Sequence, residues 1–330
     1  MMSDRSTLAP LATIAAKDIR DASRDRFVFI VTLFLAVGAA VALVSGAIAL
    51  RTDAATYAAA RETLLALGKP VDQIAAPEFY PLKLLRGAVE QIGIVGAAIA
   101  ILIGYRAAAS ERGRQTLALI LTRPIRRWQF LAGKLAAGLA LLGLGLLTVL
   151  TVLAVMVHLA SGVGLSAADL PRLALTWVAV WLYTACFFLV GFILTLTLRK
   201  TATALLLAFA VWLTLVLVAP QIGDTLDPDN QVAGGVFKSL GIAKPDQVAI
   251  MKQFSTYETL RDGIEQASVT KHFERFTFAV LGIKDTYTGV PLDQILIEKK
   301  GDLIWIFLTA LGLGLLALVL PLNADRLTKE

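Results

Sequence analysis

Six stretches of this chain run for about 20 residues or more with few charges: residues 27–50, 88–109, 131–159, 173–198, 202–220 and 303–320. That pattern decides the fold class before any motif is read. An α-helix rises about 1.5 Å per residue, so about 20 apolar residues cross a hydrocarbon core of about 30 Å with every backbone group satisfied inside the segment. A water-soluble fold cannot bury six such segments, because 57% of the 330 residues are hydrophobic and only 17% are charged. The sequence predicts an all-α integral membrane protein with six transmembrane helices. The first stretch follows Lys17, Arg20, Arg24 and Arg26. It is too long for the apolar core of a cleaved signal peptide, about 7–15 residues, and is expected to be a retained span.

Short loops rich in Lys and Arg stay in the cytoplasm. Basic residues precede span one, and Arg106, Arg112, Arg114, Arg123, Arg126 and Arg127 lie between spans two and three. Arg199 and Lys200 follow span four, and Arg326 and Lys329 follow span six. Between spans three and four there is only Arg172. Both termini are therefore expected in the cytoplasm, with 1–26 a cytoplasmic amphipathic lead-in and 27–220 holding spans one to five. Loops 51–87 and 221–302 are expected outside, and 303–330 is the last span with its tail. A net charge of +6 beside spanning segments reflects topology and anionic lipid, so no nucleic-acid partner is expected.

The 221–302 segment reads as a folded helical insertion. Met251, Phe254, Tyr257, Leu260 and Ile264, continued by Phe273, Phe276 and Val280, recur every three or four residues and describe a helix with one apolar face. That face is expected to pack on the tops of the spans or on residues 51–87, where Tyr57, Leu64, Leu65 and Leu67 offer apolar surface. Asp227-Pro228 and Pro291 punctuate the ends of the insertion.

The stretch between spans two and three, "ERGRQTLALILTRPIRRWQFLAGK" at 111–134, concentrates basic charge against the single acid Glu111. Leu117, Ile120 and Leu121 fall at i, i+3 and i+4, which gives a short helix with an apolar stripe, and Pro124 ends it. Glu111 sits where a negative charge favours a helix start. Trp128 is expected to anchor at the interface, and Lys134 to snorkel its ammonium to the surface.

The order Glu111, Thr116-Leu117, Ile120-Leu121, Pro124-Ile125, Arg127, Gly133-Lys134 resembles the permease subunits of ABC-2 type transporters. The likeness is to the six-span group with the nitrous-oxide reductase maturation and gliding-motility permeases, although Gln115 stands where glycine is usual. The lead-in "AAKDIRDASRDRF", residues 15–27, is similar to the amphipathic helix of those permeases. The resemblance implies that 111–127 is a coupling helix docked in a groove of a separate ATPase subunit, through Glu111, Thr116, Leu117, Ile120, Leu121, Pro124, Arg126 and Arg127. It further implies two cytoplasmic ABC ATPase subunits that bind ATP and Mg, and a second permease chain, working in a bacterial or archaeal cytoplasmic membrane, with export as the expected direction.

Other chemistry is thin. Neither Gly68-Lys69 nor Gly133-Lys134 completes G-x-x-x-x-G-K-[ST], so this chain is expected not to be an enzyme and to hold no cofactor of its own. One cysteine and two histidines give no disulfide and no metal-ligand spacing. No catalytic group stands out. Gly96, Ala100 and Gly104 make a small-residue stripe on span two, fit for close helix packing within the chain or for a dimer face. Glu90 is expected to be a solvated carboxylate, His158 and His272 ordinary interfacial or surface residues, and Cys186 a packing residue. An external accessory protein is a possible partner of the insertion. The rival reading is a membrane scaffold that assembles an external complex without transport.

Overall fold

A computed structural model describes residues 5–68, 80–113, 126–161, 165–226, 237, 240–242, 246, 250 and 255–320. Among these, all regular structure is helical. An N-terminal helix α1 (Arg5–Arg24) precedes the first span α2 (Phe27–Ala66). The second span α3 (Pro81–Ser110) opens with a 3₁₀ turn, Pro81–Leu85, and carries a π-turn at Ile92–Gly96. Then come α4 (Arg127–Ser161) and α5 (Asp169–Thr197). The fifth span α6 (Thr201–Ile222) carries a second π-turn at Leu213–Val218. Two helices of the insertion, α7 (Ser255–Ala267) and α8 (Val269–Val280), lead to the last span α9 (Leu292–Val319). Among the described residues, six helices are thus long and apolar enough to cross a membrane. They alternate in direction, so α1 and the ends of α3, α5 and α9 share one end of the bundle.

Span α5 is the hub. Of its apolar stretch 72% is buried, against 11% for α9 and 17% for α2 and α6, so those three present most of their surface outward. Small residues let the backbones meet. A Cβ on Gly104 would lie 2.0 Å from the Phe188 carbonyl oxygen, and one on Gly191 2.5 Å from that of Ile101. Only glycine fits both sides of this α3–α5 crossing. Gly96 packs near Leu35 and Thr184, and Ala100 is fully buried, so the stripe of small residues faces into the chain. On the α4 side, Trp177 and Trp181 stack with centroids 5.9 Å apart and donate their indole N–H to the carbonyls of Gly143 and Leu139. Each half-buried indole therefore has its polar atom satisfied.

Helix boundaries depart from hydropathy. The first helix does not stop at residue 50 but continues through "RTDAATYAAARETLLA" to Ala66, because alanine, leucine, arginine and glutamate keep a helix going after the apolar run ends. Gly68, at φ +67° and donating to the Leu65 carbonyl, stops it. The loop expected at 51–87 therefore loses both ends to helices. Likewise 292–302 belongs to the last span. The single amphipathic helix expected through Phe273 is two, broken at Ser268, whose hydroxyl caps α8 by accepting from Lys271 N. Helix α8 ends in a Schellman motif: Ile283 N donates to Phe278 O and Gly282 N to Ala279 O, with Gly282 at φ +61°. Its apolar face packs on the ends of the spans, whereas Leu65 and Leu67 stay exposed.

Candidate functional site

The N-terminal helix is docked, not free. Leu11, Ile14, Asp18, Ala22 and their neighbours turn inward, while Thr13, Lys17, Arg20 and Arg24 are exposed. Contact with α4 requires Gly133, since a Cβ there would lie 2.9 Å from Ile14 Cβ and 3.1 Å from Leu11 O. One turn deeper, the Lys134 ammonium sits 3.0 Å from Asp18 Oδ2 with only 3% of the side chain exposed. It also lies 5.6 Å from the Phe130 ring centroid. Lys134 thus does not snorkel to the surface: α1 covers it and supplies the counter-charge. A buried ammonium with no carboxylate would be strongly unfavourable, so this pair fixes where α1 lies.

A second ion pair joins Asp25 to Arg106 near the end of α3, and the Arg106 guanidinium stacks 4.0 Å over the Phe27 ring. Both partners of that pair are about half exposed, at 47% and 51%, so its contribution is small and mainly orienting. Between the two pairs lies a cavity of about 190 Å³, lined by Asp18, Asp21, Asp25, Arg106, Ser110 and Lys134 with apolar neighbours. Helix α1 and the turn after it are therefore tied to both helices that flank residues 114–125.

Thr116, Leu117, Ile120, Leu121 and Pro124 lie outside the described residues, as does the Glu111 side chain, though the Glu111 backbone belongs to the helix that continues α3 to Gly113. Arg126 and Arg127 are exposed at the start of α4, where the Gln129 side chain accepts from Arg126 N. Trp128 is 39% exposed. Sequence reasoning missed Asp18, Asp25 and Arg106. The signal was present, because Asp18, Asp21 and Asp25 at i, i+3 and i+7 put three carboxylates on one face of a helix preceding a lysine-bearing span.

At the opposite end the insertion is clamped to α5. Arg172, 7% exposed, donates from Nη1 to Val280 O at 2.7 Å and from Nη2 to Val290 O. Asp169 accepts from Tyr80 Oη at 2.9 Å and from Ser166 N and Oγ, each at 2.8 Å. Burial, reinforced by the Asp169 hydrogen bond, pushes the Tyr80 phenol up to about 12. His272 is not an ordinary surface residue: its ring nitrogens lie 2.6 Å from Asp302 Oδ1 and 3.0 Å from Gln266 O. Glu90, exposed, pairs with Arg86 one turn away. Cys186 is buried, with its Sγ 3.3 Å from Leu182 O, and His158 is exposed at the end of α4.

The site is thus a helical bundle with close crossings and outward-facing apolar spans, and at one end a docked amphipathic helix packed on α4. No curated protein matches the chain. A family model described as ABC-2 family transporter protein matches residues 12–322, from within α1 to just past α9. The chain belongs to the ABC-2 family of transporter proteins, as a multi-pass permease subunit.

Proposed function

We propose that this permease converts ATP hydrolysis by separate ATPase subunits into outward movement of a substrate, with residues 111–127 as the segment the ATPase pushes. Permeases of this family generally work with ABC ATPase subunits in a membrane. One observation carries the assignment. The two helices flanking that segment, α3 and α4, are joined through α1 and the turn that follows it, by the Asp18–Lys134 pair and the Asp25–Arg106 pair. A displacement at 114–125 is therefore delivered to two spans together, and through the Gly104–Phe188 crossing to α5. Leu117 and Leu121 seat in the ATPase groove, with Arg126 and Arg127 at its rim. Two ATPases acting together require two permease chains, arranged with two-fold symmetry. The end bearing α1 faces the cytoplasm, in agreement with its basic loops, and the membrane is a bacterial or archaeal cytoplasmic membrane.

The test is co-purification from membranes. The detergent-solubilised wild-type chain is expected to bring down a P-loop ATPase, and Leu117→Asp/Leu121→Asp to lose it while eluting as a folded species in gel filtration. Equal recovery of the ATPase by both forms overturns the docking assignment. Recovery by neither overturns the coupling function as a whole.

A further inference from the structure

The two π-turns lie on neighbouring spans and touch each other. A π-turn holds one residue more than the α-helix it interrupts, disturbs the regular i→i+4 ladder and is costly enough to be rare, so a matched pair needs a cause. Here, side chains from other elements meet the carbonyls of both turns. In the α3 turn, Gly93 O accepts from Tyr183 Oη of α5 at 2.9 Å, and Ile94 O from Trp212 Nε1 of α6 at 3.1 Å. In the α6 turn, Leu215 O faces Thr270 Oγ1 of α8 at 3.3 Å. Thr270 Oγ1 also lies 3.4 Å from Tyr183 Oη. Helix α8 further lays Phe273 flat on the Tyr183 ring, with centroids 4.3 Å apart and planes at 16°. The same ring lies against Gly93, where a Cβ would be 3.3 Å from Phe273 Cε1.

We infer that the insertion helix α8 is a latch that holds α3 and α6 in their π-turned form through Thr270, Tyr183 and Phe273. The proton inventory makes the latch two-state. Three oxygen contacts (Tyr183 to Gly93 O, Tyr183 to Thr270, Thr270 to Leu215 O) are served by two hydroxyl protons. With the tyrosine proton on Gly93 O, the threonine proton goes either to Tyr183 Oη or to Leu215 O. A small shift of α8 therefore releases one π-turn while keeping the other. Losing the extra residue of a π-turn rotates the rest of that helix by about 100° and shifts it about 1.5 Å along its axis. Movement of an extramembrane helix is thereby converted into rotation of α6 against α3. This inference does not depend on which protein docks at the other end of the bundle.

Hydrogen exchange on the full chain in lipid nanodiscs, followed by peptide-resolved mass spectrometry, tests the latch. In Tyr183→Phe/Thr270→Val, which keeps the ring stack and the side-chain volumes, amides of 92–100 and 213–222 are expected to exchange about ten-fold faster, the scale of one to two lost hydrogen bonds. Peptides from 142–153 in α4 are expected to be unchanged. Thr270→Ser restores the hydroxyl and is expected to exchange as wild type. The latch is overturned if neither π-turn accelerates, if only one does in the double variant, or if every span accelerates alike. It is also overturned if Thr270→Ser behaves like Thr270→Val.

Discussion

Substituting Gly104 probes whether the α3–α5 crossing organises the bundle. In Gly104→Ala the new methyl would meet Phe188 O at 2.0 Å, Phe188 C at 2.9 Å and Phe192 N at 3.1 Å. These are backbone atoms of a helix, so no side chain can swing away. A carbon–oxygen contact relaxes at about 3.3–3.6 Å, which requires the helices to separate by more than about 1 Å. A gap of that size removes roughly a quarter to a half of the dispersion energy of each facing contact. The cost is therefore at the top of the range for overpacking, about 3 kcal/mol, or some 6 °C in Tm at about 2 °C per kcal/mol. Gly191→Ala meets Ile101 O at 2.5 Å at the same crossing, and the double variant is expected to cost less than the two singles together, because one separation relieves both clashes. Gly312→Ala, with nothing within 4 Å, is the control and is expected to hold or raise Tm. Thermal unfolding of detergent-purified variants, followed by tryptophan fluorescence, decides the matter. A Gly104→Ala melt coincident with wild type, beside a normal Gly312→Ala, refutes the reasoning.

Three further outcomes are expected. Asp18→Asn replaces the carboxylate 3.0 Å from the 3% exposed Lys134 ammonium with a neutral amide and should cost about 3 kcal/mol, whereas Lys134→Met leaves a carboxylate that water still reaches and should cost less. Thermal unfolding, with exchange of the α1 amides, ranks the two, and equal costs would refute the buried-charge argument. The folded Tyr80 phenol titrates at about 12 instead of 10.0, so its contribution to stability is complete below pH 10 and is lost between pH 10 and about 12. Tyr80→Phe should flatten that part of a stability–pH curve, and an unchanged slope would exclude the clasp with Asp169. Arg172→Met removes both donors to the carbonyls of Val280 and Val290; limited proteolysis should then cut between α8 and α9, where the wild type resists.

The spans were legible because they follow from composition alone. A run of leucine, valine and alanine needs no partner to declare itself, and each of the six predicted stretches falls on one of the six long apolar helices, to within a residue at its end. Their ends were not legible, because hydropathy falls at residue 50 while helix propensity persists to Gly68. The break at Ser268 was readable as a cap but is hidden under an apolar period that runs through it. Nothing local announces that Lys134 meets Asp18, 116 positions away, so its burial looked like an interfacial lysine. The π-turns are less legible still. "IGIVG" and "LTLVLV" read as ordinary apolar helix, and only the hydroxyls and indole brought in by other elements distinguish them.

The length of α2 has a practical consequence. Forty residues at about 1.5 Å each make a rod of about 60 Å, twice the hydrocarbon thickness of about 30 Å. Its far half stands clear of lipid at the end away from α1, and Arg61, exposed there, lies about 20 Å beyond the hydrocarbon by the same rise per residue. A membrane-impermeant reagent directed at a cysteine in that post reaches it from one compartment only, and the native Cys186 is buried and out of reach. The protein thus carries its own flagpole, and one labelling reaction on sealed vesicles reports which way the molecule is inserted.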